Sequence, residues 1–182
     1  MLKNVIILLL CFVFSNQIVN AKEPLLANMP GNVLVGIGTG FDYGGMLGGN
    51  LTYEYNHNLG AFVGSGVTYA GVGYNVGVRY RANRKSDTPH FAPYALAMYG
   101  YNAMLSVENQ QSLNRLFYGP SVGIGLDYFI NPKESRTRWS LALLVPIRNN
   151  STYDNYLQDN QILQKTHLSA VALSLGYFFD TK

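Results

Sequence analysis

The chain has 182 residues, with 13% charged, a formal net charge of +3, one cysteine, nineteen glycines and fourteen tyrosines. Lysine and arginine form no stripe suited to tracking phosphates, which argues against nucleic acid as a partner. The single cysteine, Cys11, lies in an N-terminal apolar run, so the remaining chain is expected to have neither a disulfide nor a thiolate metal site.

Lys3, the apolar run Val5 to Phe14 and the small or medium residues Val19-Asn20-Ala21 have the layout of a secretory signal peptide cut after Ala21. The apolar run is shorter than the roughly 20 residues of a membrane-spanning helix. The expected organisation is therefore a signal peptide over 1–21 and one domain over 22–182.

Past residue 22 the pattern has period two, and no helical period is sustained. Successive strand side chains point to opposite faces. Val33, Val35, Ile37, Thr39 and Phe41 alternate with Leu34, Gly36, Gly38 and Gly40, and Leu47, Gly49, Leu51, Tyr53 and Tyr55 with Gly48, Asn50, Thr52 and Glu54. Val63 and Val67 face away from Gly64 and Gly66. In the next run Val72, Tyr74, Val76, Val78 and Tyr80 alternate with Gly73, Asn75, Gly77 and Arg79. The segment 91–101 is the least regular, with Tyr94, Leu96 and Met98 set against Ala95, Ala97 and Tyr99. Alternation resumes around Val122, Ile124 and Leu126, then Trp139, Leu141, Leu143 and Val145, then Val171, Leu173, Leu175, Tyr177 and Phe179. Eight strands are expected, at about 32–41, 45–56, 59–69, 71–82, 90–102, 116–130, 137–148 and 166–179. Turn-forming clusters such as Asn56-His57-Asn58 and Asn131-Pro132-Lys133 separate them.

Alternation alone also fits a soluble sandwich or a lipocalin-like barrel. A soluble barrel turns its apolar face inward and meets water with charged and polar groups. Here the second face is mostly Gly, Ala and Ser, which suit a crowded interior. The bulky face is therefore expected to look outward at lipid, in an all-β, eight-stranded, antiparallel up-and-down transmembrane β-barrel. Hydrocarbon tolerates no open sheet edge, so the first and last strands must pair. The two longest connections, about 103–115 and 149–165, fall on one side and the chain ends on the other, whereas the turns at Asp42-Tyr43-Gly44-Gly45 and Ala70-Gly71 are brief. Aromatic girdles are expected at Tyr55, Tyr80, Tyr128, Trp139 and Phe179 near the inner boundary, and at Phe41, Tyr69, Tyr101 and Tyr118 near the outer one.

These features resemble the small eight-stranded bacterial outer-membrane barrels of the OmpX, OmpW and opacity-protein kind. The closing run Ser174-Leu175-Gly176-Tyr177-Phe178-Phe179 is similar to the C-terminal signal read by the barrel-assembly machinery, although Asp180, Thr181 and Lys182 follow it. The resemblance implies a bacterial outer-membrane location. It also implies membrane lipids, lipopolysaccharide and the assembly machinery as partners.

Glu54, Arg79, Asp127 and Arg138 carry inward parity near the inner ends of their strands. An unpaired buried charge is costly, so an ion-pair network filling the lumen is expected. Gly36-Ile37-Gly38-Thr39-Gly40 is a strand's small face rather than a phosphate loop, since no Lys and no helix follow it. His167-Leu168-Ser169 faintly resembles the His-x-Ser of outer-membrane lipid A 3-O-deacylases, and parity places His167 and Ser169 outward. No carboxylate follows on a neighbouring strand to orient the base, and His57 and His90 fall in turns on the other side. No spacing of histidines and carboxylates suggests a metal, and no cofactor is expected.

The expected function is non-enzymatic: a monomeric barrel that is structural or presents its outer loops, with Glu108, Arg115, Tyr153, Asp154, Tyr156 and Asp159, to a surface partner. A lipid-modifying enzyme and a narrow channel are the competing readings.

Overall fold

The computed structural model describes residues 31–82, 90–105, 113–132, 135–148, 150–159 and 168–181, with side chains in the 150–159 segment from residue 155 onward. The expected signal peptide, residues 1–21, lies outside the described residues.

Eight strands form one closed, all-antiparallel, up-and-down barrel: β1 (Asn32–Gly40), β2 (Gly45–Glu54), β3 (Leu59–Thr68), β4 (Gly71–Arg81), β5 (Phe91–Leu105), β6 (Arg115–Phe129), β7 (Arg138–Pro146) and β8 (Ala172–Asp180). Closure runs from Leu34↔Asp180 to Thr39↔Leu175. Every strand has a hydrogen-bonded neighbour on both sides, so the barrel wall has no free edge strand.

Turn chemistry sets the short connections. The Asn56 side-chain carbonyl accepts from the backbone N–H groups of Asn58 and Leu59, at 2.8 and 2.7 Å, and so closes the β2–β3 turn. The Thr68 hydroxyl bridges the β3–β4 turn, donating to the Gly71 carbonyl at 2.9 Å and accepting from the Ala70 N–H at 3.1 Å.

The pleat sorts the side chains by face. Val76, Ile124 and Leu173 are 55%, 65% and 69% exposed, and Val63, Leu141 and Val145 share their outward face. Glu54, Asn75, Arg79, Asp127 and Ser140 are buried inside. The bulky apolar groups thus face away from the barrel axis and the ionisable ones towards it.

Four expectations are corrected. In β5 the bulky set Tyr94, Leu96 and Met98 points inward, where it packs with Phe62, Ala142 and Leu144, while Ala95, Ala97 and Tyr99 face out. Gly77 of β4 and Gly125 of β6, on either side, leave room for this bulk: a Cβ there would meet Met98 and the Tyr94 ring. Tyr101 is buried rather than in an outer girdle, because the β5–β6 register shifts between Tyr101 and Ala103 and the alternation is lost over 100–103. Phe41 also turns inward, its ring edge-on to Tyr101 with centroids 5.1 Å apart. The last strand begins at Ala172 rather than 166, so Ser169 precedes it in irregular chain.

One helix, α1 (Asn150–Asp159), occupies part of the region expected to be a loop. It lies beyond the far end of the barrel, where β5 and β6 run to 15 residues each against 9–11 for the other strands. Leu157 of α1 packs on Leu105, with Phe117, Tyr156 and Leu168 around them, and the Tyr156 hydroxyl donates to the Leu113 carbonyl at 3.2 Å. The long hairpin and helix form a small lobe with its own apolar contacts.

Candidate functional site: the lumen

The lumen contains two linked features. The first is a charged layer at the end where the chain enters the barrel. Glu54, Arg79, Asp127 and Arg138 meet there, and Arg81 and Arg136 join them. The Asp127 carboxylate accepts from Arg81 Nη2 at 2.6 Å and Nε at 2.9 Å. Arg138 Nε lies 3.1 Å from the same oxygen. The Glu54 carboxylate stands 2.7 Å from Arg136 Nη1, 2.9 Å from Arg138 Nη2 and 3.0 Å from Arg81 Nη2. The interleaving of opposite charges is what lets these groups sit out of water.

Aromatic faces complete the shells of the guanidinium groups. Arg79 lies 4.4 Å from the Tyr94 ring centroid and 5.2 Å from that of Phe178, and Arg138 lies 4.7 Å from Phe178. Tyr94 in turn shares a 2.8 Å hydrogen bond with the Ser140 hydroxyl. The inward bulk of β5 therefore both fills space and covers a cation.

The second feature is the β1–β2 turn. Phe41–Tyr43 make one 3-10 turn that folds back into the barrel, leaving Asp42 and Tyr43 1% and 0% exposed. Gly40 and Gly44, at φ 118° and 76°, provide the backbone reversal on either side, in a region that disfavours side chains. Asn50 Nδ2 donates to the Asp42 carbonyl at 2.8 Å, and Asn75 Nδ2 donates to the Phe41 carbonyl. Arg79 Nη2 lies 3.4 Å from Asp42 Oδ2, which joins the turn to the charged layer. The Tyr43 ring packs on Leu34 and Phe178.

The glycines of the inward face make room for this turn. A Cβ at Gly64 would meet the Asp42 carbonyl, one at Gly48 or Gly66 the Tyr43 carbonyl, and one at Gly176 the Tyr43 hydroxyl. The small face read from the sequence as a crowded interior is, on β2, β3 and β8, a mould for a backbone segment.

Asp42, Arg81 and Arg136 are the members that the strand alternation did not single out. Arg81 shares parity with Arg79 and was legible on that ground. Asp42 and Arg136 lie in connections, where alternation says nothing.

Among the girdle positions, Tyr55, Tyr69, Tyr80, Tyr128, Trp139 and Phe179 are exposed. Trp139, Tyr177 and Phe179 form an edge-to-face run at the entry end, with centroids 4.9 and 4.7 Å apart. Tyr118 stacks on Tyr74 at 4.6 Å near the far end.

His167 and Glu108, and the side chains of Tyr153 and Asp154, lie outside the described residues. The Ser169 hydroxyl donates to the Val171 carbonyl at 2.5 Å, and the Ser169 carbonyl accepts from Arg148 Nη1 at 2.6 Å. His90 Nδ1 contacts the Phe129 carbonyl at 2.9 Å at the opposite end of the barrel. Arg115 lies over the Tyr156 ring at 4.7 Å in the far-end lobe, and Asp159 is exposed there. No group of three metal-ligating side chains occurs among the described residues.

No family model matches this chain, and no curated protein matches it. Among solved structures the chain is similar to one described as "De novo design of transmembrane beta-barrels". The two share 17% identity over 81% of this chain and 91% of that chain, with a TM-score of 0.41.

Proposed function

We propose that this protein is an integral β-barrel of a bacterial outer membrane, with a filled lumen and a structural or surface-presenting role. The observation that carries the reading is the polarity of the wall. Around the closed barrel, Val63, Val76, Ile124, Leu143 and Leu173 face outward, while the arginines and carboxylates are inside. A contiguous apolar belt of this kind is insoluble in water and suited to acyl chains. The exposed aromatic groups at the entry end suit the headgroup level.

In this reading residues 1–21 direct export and are removed. The closing strand is recognised by the assembly machinery, and the barrel works as a monomer among lipids and lipopolysaccharide. The entry end faces the periplasm, and the α1 lobe is external. The role involves no catalytic step. The inserted turn and the charged layer below it close the lumen to steady ion flow.

Three measurements on the folded protein test this. A closed barrel migrates differently on a detergent gel before and after boiling, and identical mobility would remove the membrane reading. Planar-bilayer recording is expected to show no steady conductance, and a sustained single-channel current would replace the plugged barrel with a channel. Incubation with lipopolysaccharide should leave its acyl chains unchanged by mass spectrometry, and loss of a chain would establish the enzyme instead.

A further inference from the structure

The inserted turn presents a carboxylate and two peptide carbonyls to groups built on the barrel wall. Arg79 faces the Asp42 carboxylate, and the amides of Asn50 and Asn75 donate to the turn's carbonyls. All three wall residues are 2% exposed.

Of the four lumen arginines, Arg79 is held least closely by carboxylates. Its nearest carboxylate oxygens are at 3.4 Å on Asp42 and 3.8 Å on Asp127, whereas Arg81, Arg136 and Arg138 have theirs at 2.6–2.9 Å. Arg79 Nε is buried without a hydrogen-bond partner among the described residues, as is the Tyr43 hydroxyl of the turn. A guanidinium edge binds a planar carboxylate best through two parallel N–H groups. The tethered Asp42 makes one hydrogen bond to this edge, from Nη2.

We propose that the upper lumen is a binding site for a small carboxylate anion entering from the far end, and that the Phe41–Gly44 turn occupies it as a tethered stand-in. The ligand carboxylate takes Arg79 through Nε and Nη2, the Asn75 Nδ2 released from the Phe41 carbonyl donates to it, and the turn swings out about Gly40 and Gly44. At rest the turn holds the site closed, its Tyr43 ring seated on Leu34 and Phe178. The inference rests on the barrel reading above, with the turn at the external mouth.

Competition gives the test. A ligand that binds only the turn-out state multiplies that state's population by one plus the ratio of its concentration to its dissociation constant. The full barrel, folded in detergent micelles, is followed by amide hydrogen exchange of the peptide covering Phe41 to Met46. Sodium formate is compared with sodium chloride at equal ionic strength. Exchange in this peptide should accelerate with formate, by roughly tenfold when formate is tenfold above its dissociation constant. The Thr68–Gly71 turn should not respond. In Asp42→Asn, which leaves Arg79 without the tethered carboxylate, formate should raise the thermal midpoint above its value in chloride.

Turn exchange indifferent to formate, together with an Asp42→Asn midpoint that formate does not move, overturns the inference and leaves the barrel intact. A protein whose mobility is not heat-modifiable in the same micelles removes the barrel reading and the inference together. If Asp42→Asn does not fold, the wild-type exchange comparison decides alone.

Discussion

Asp127 of β6 holds Arg81 of β4 inside the lumen, with two guanidinium nitrogens 2.6 and 2.9 Å from one carboxylate oxygen. These strands share no ladder, since β5 lies between them. The contact ties next-but-one strands of the wall through the interior, and Arg138 of β7 reaches the same oxygen.

Removing one partner of a buried ion pair leaves an uncompensated charge, at a cost of about 3–5 kcal/mol. Asp127→Ala leaves Arg81 and Arg138 sharing Glu54 as their remaining carboxylate, and should lower stability by about that much in a urea titration in micelles. Arg79→Ala should lower the thermal midpoint less. Its carboxylate contacts are longer, at 3.4 and 3.8 Å, and its loss leaves Asp127 with two other arginines and deprives only Asp42 of its cation. Equal midpoints for wild type and both variants would contradict the network.

The inserted turn makes a separate prediction about packing. Gly64→Val places side-chain atoms where the Asp42 carbonyl lies, so the turn must shift or the wall must bend. Overpacking of this kind costs typically about 1–3 kcal/mol. Gly71→Ala is the control, because nothing lies within 4 Å of a Cβ there. Its strain is local, from φ 131°, in an exposed turn. Faster amide exchange over Phe41 to Met46 in Gly64→Val, and unchanged exchange there in Gly71→Ala, is the expected pair of results.

Much of this architecture is visible in the amino-acid order. Period two marks eight strands because each has one wall-facing and one lumen-facing row. The charges of Glu54, Arg79, Asp127 and Arg138 sit on one parity because only that row is enclosed. What the alternation misses depends on three-dimensional fit. The inward turn of Tyr94, Leu96 and Met98 follows from the room left by glycines of the adjacent strands, Gly77 and Gly125. The insertion of Asp42 and Tyr43 follows from the mould at Gly48, Gly64, Gly66 and Gly176. Neither is a property of a single strand. The α1 helix escaped notice because its support is tertiary: Leu157 seats on Leu105 of a distant hairpin.

The outward face responds to depth. Ile124 lies midway along the paired stretch of β6, whereas Ile130 lies just past its entry end, and both are exposed. Arginine facing lipid costs about 2–4 kcal/mol at the midplane of a transmembrane barrel and about 0–1 near the interface. Ile124→Arg should therefore impair refolding into lipid vesicles, while Ile130→Arg should be tolerated. Similar yields for both would argue against a bilayer around β6.

The far-end lobe should loosen independently of the barrel. Leu157→Ala removes its central side chain, which is 7% exposed. The loss should appear as local opening, with faster proteolysis within α1 and little change in the barrel midpoint. A large midpoint drop would mean that the lobe braces the wall.

The most direct test of the account asks what the wall touches. Trp139 is the sole tryptophan and sits on the outward face near the entry end. After refolding into vesicles of lipids brominated along their acyl chains, its fluorescence should be strongly quenched relative to unbrominated vesicles. Unquenched emission from a protein that stays dissolved in buffer without detergent would contradict it.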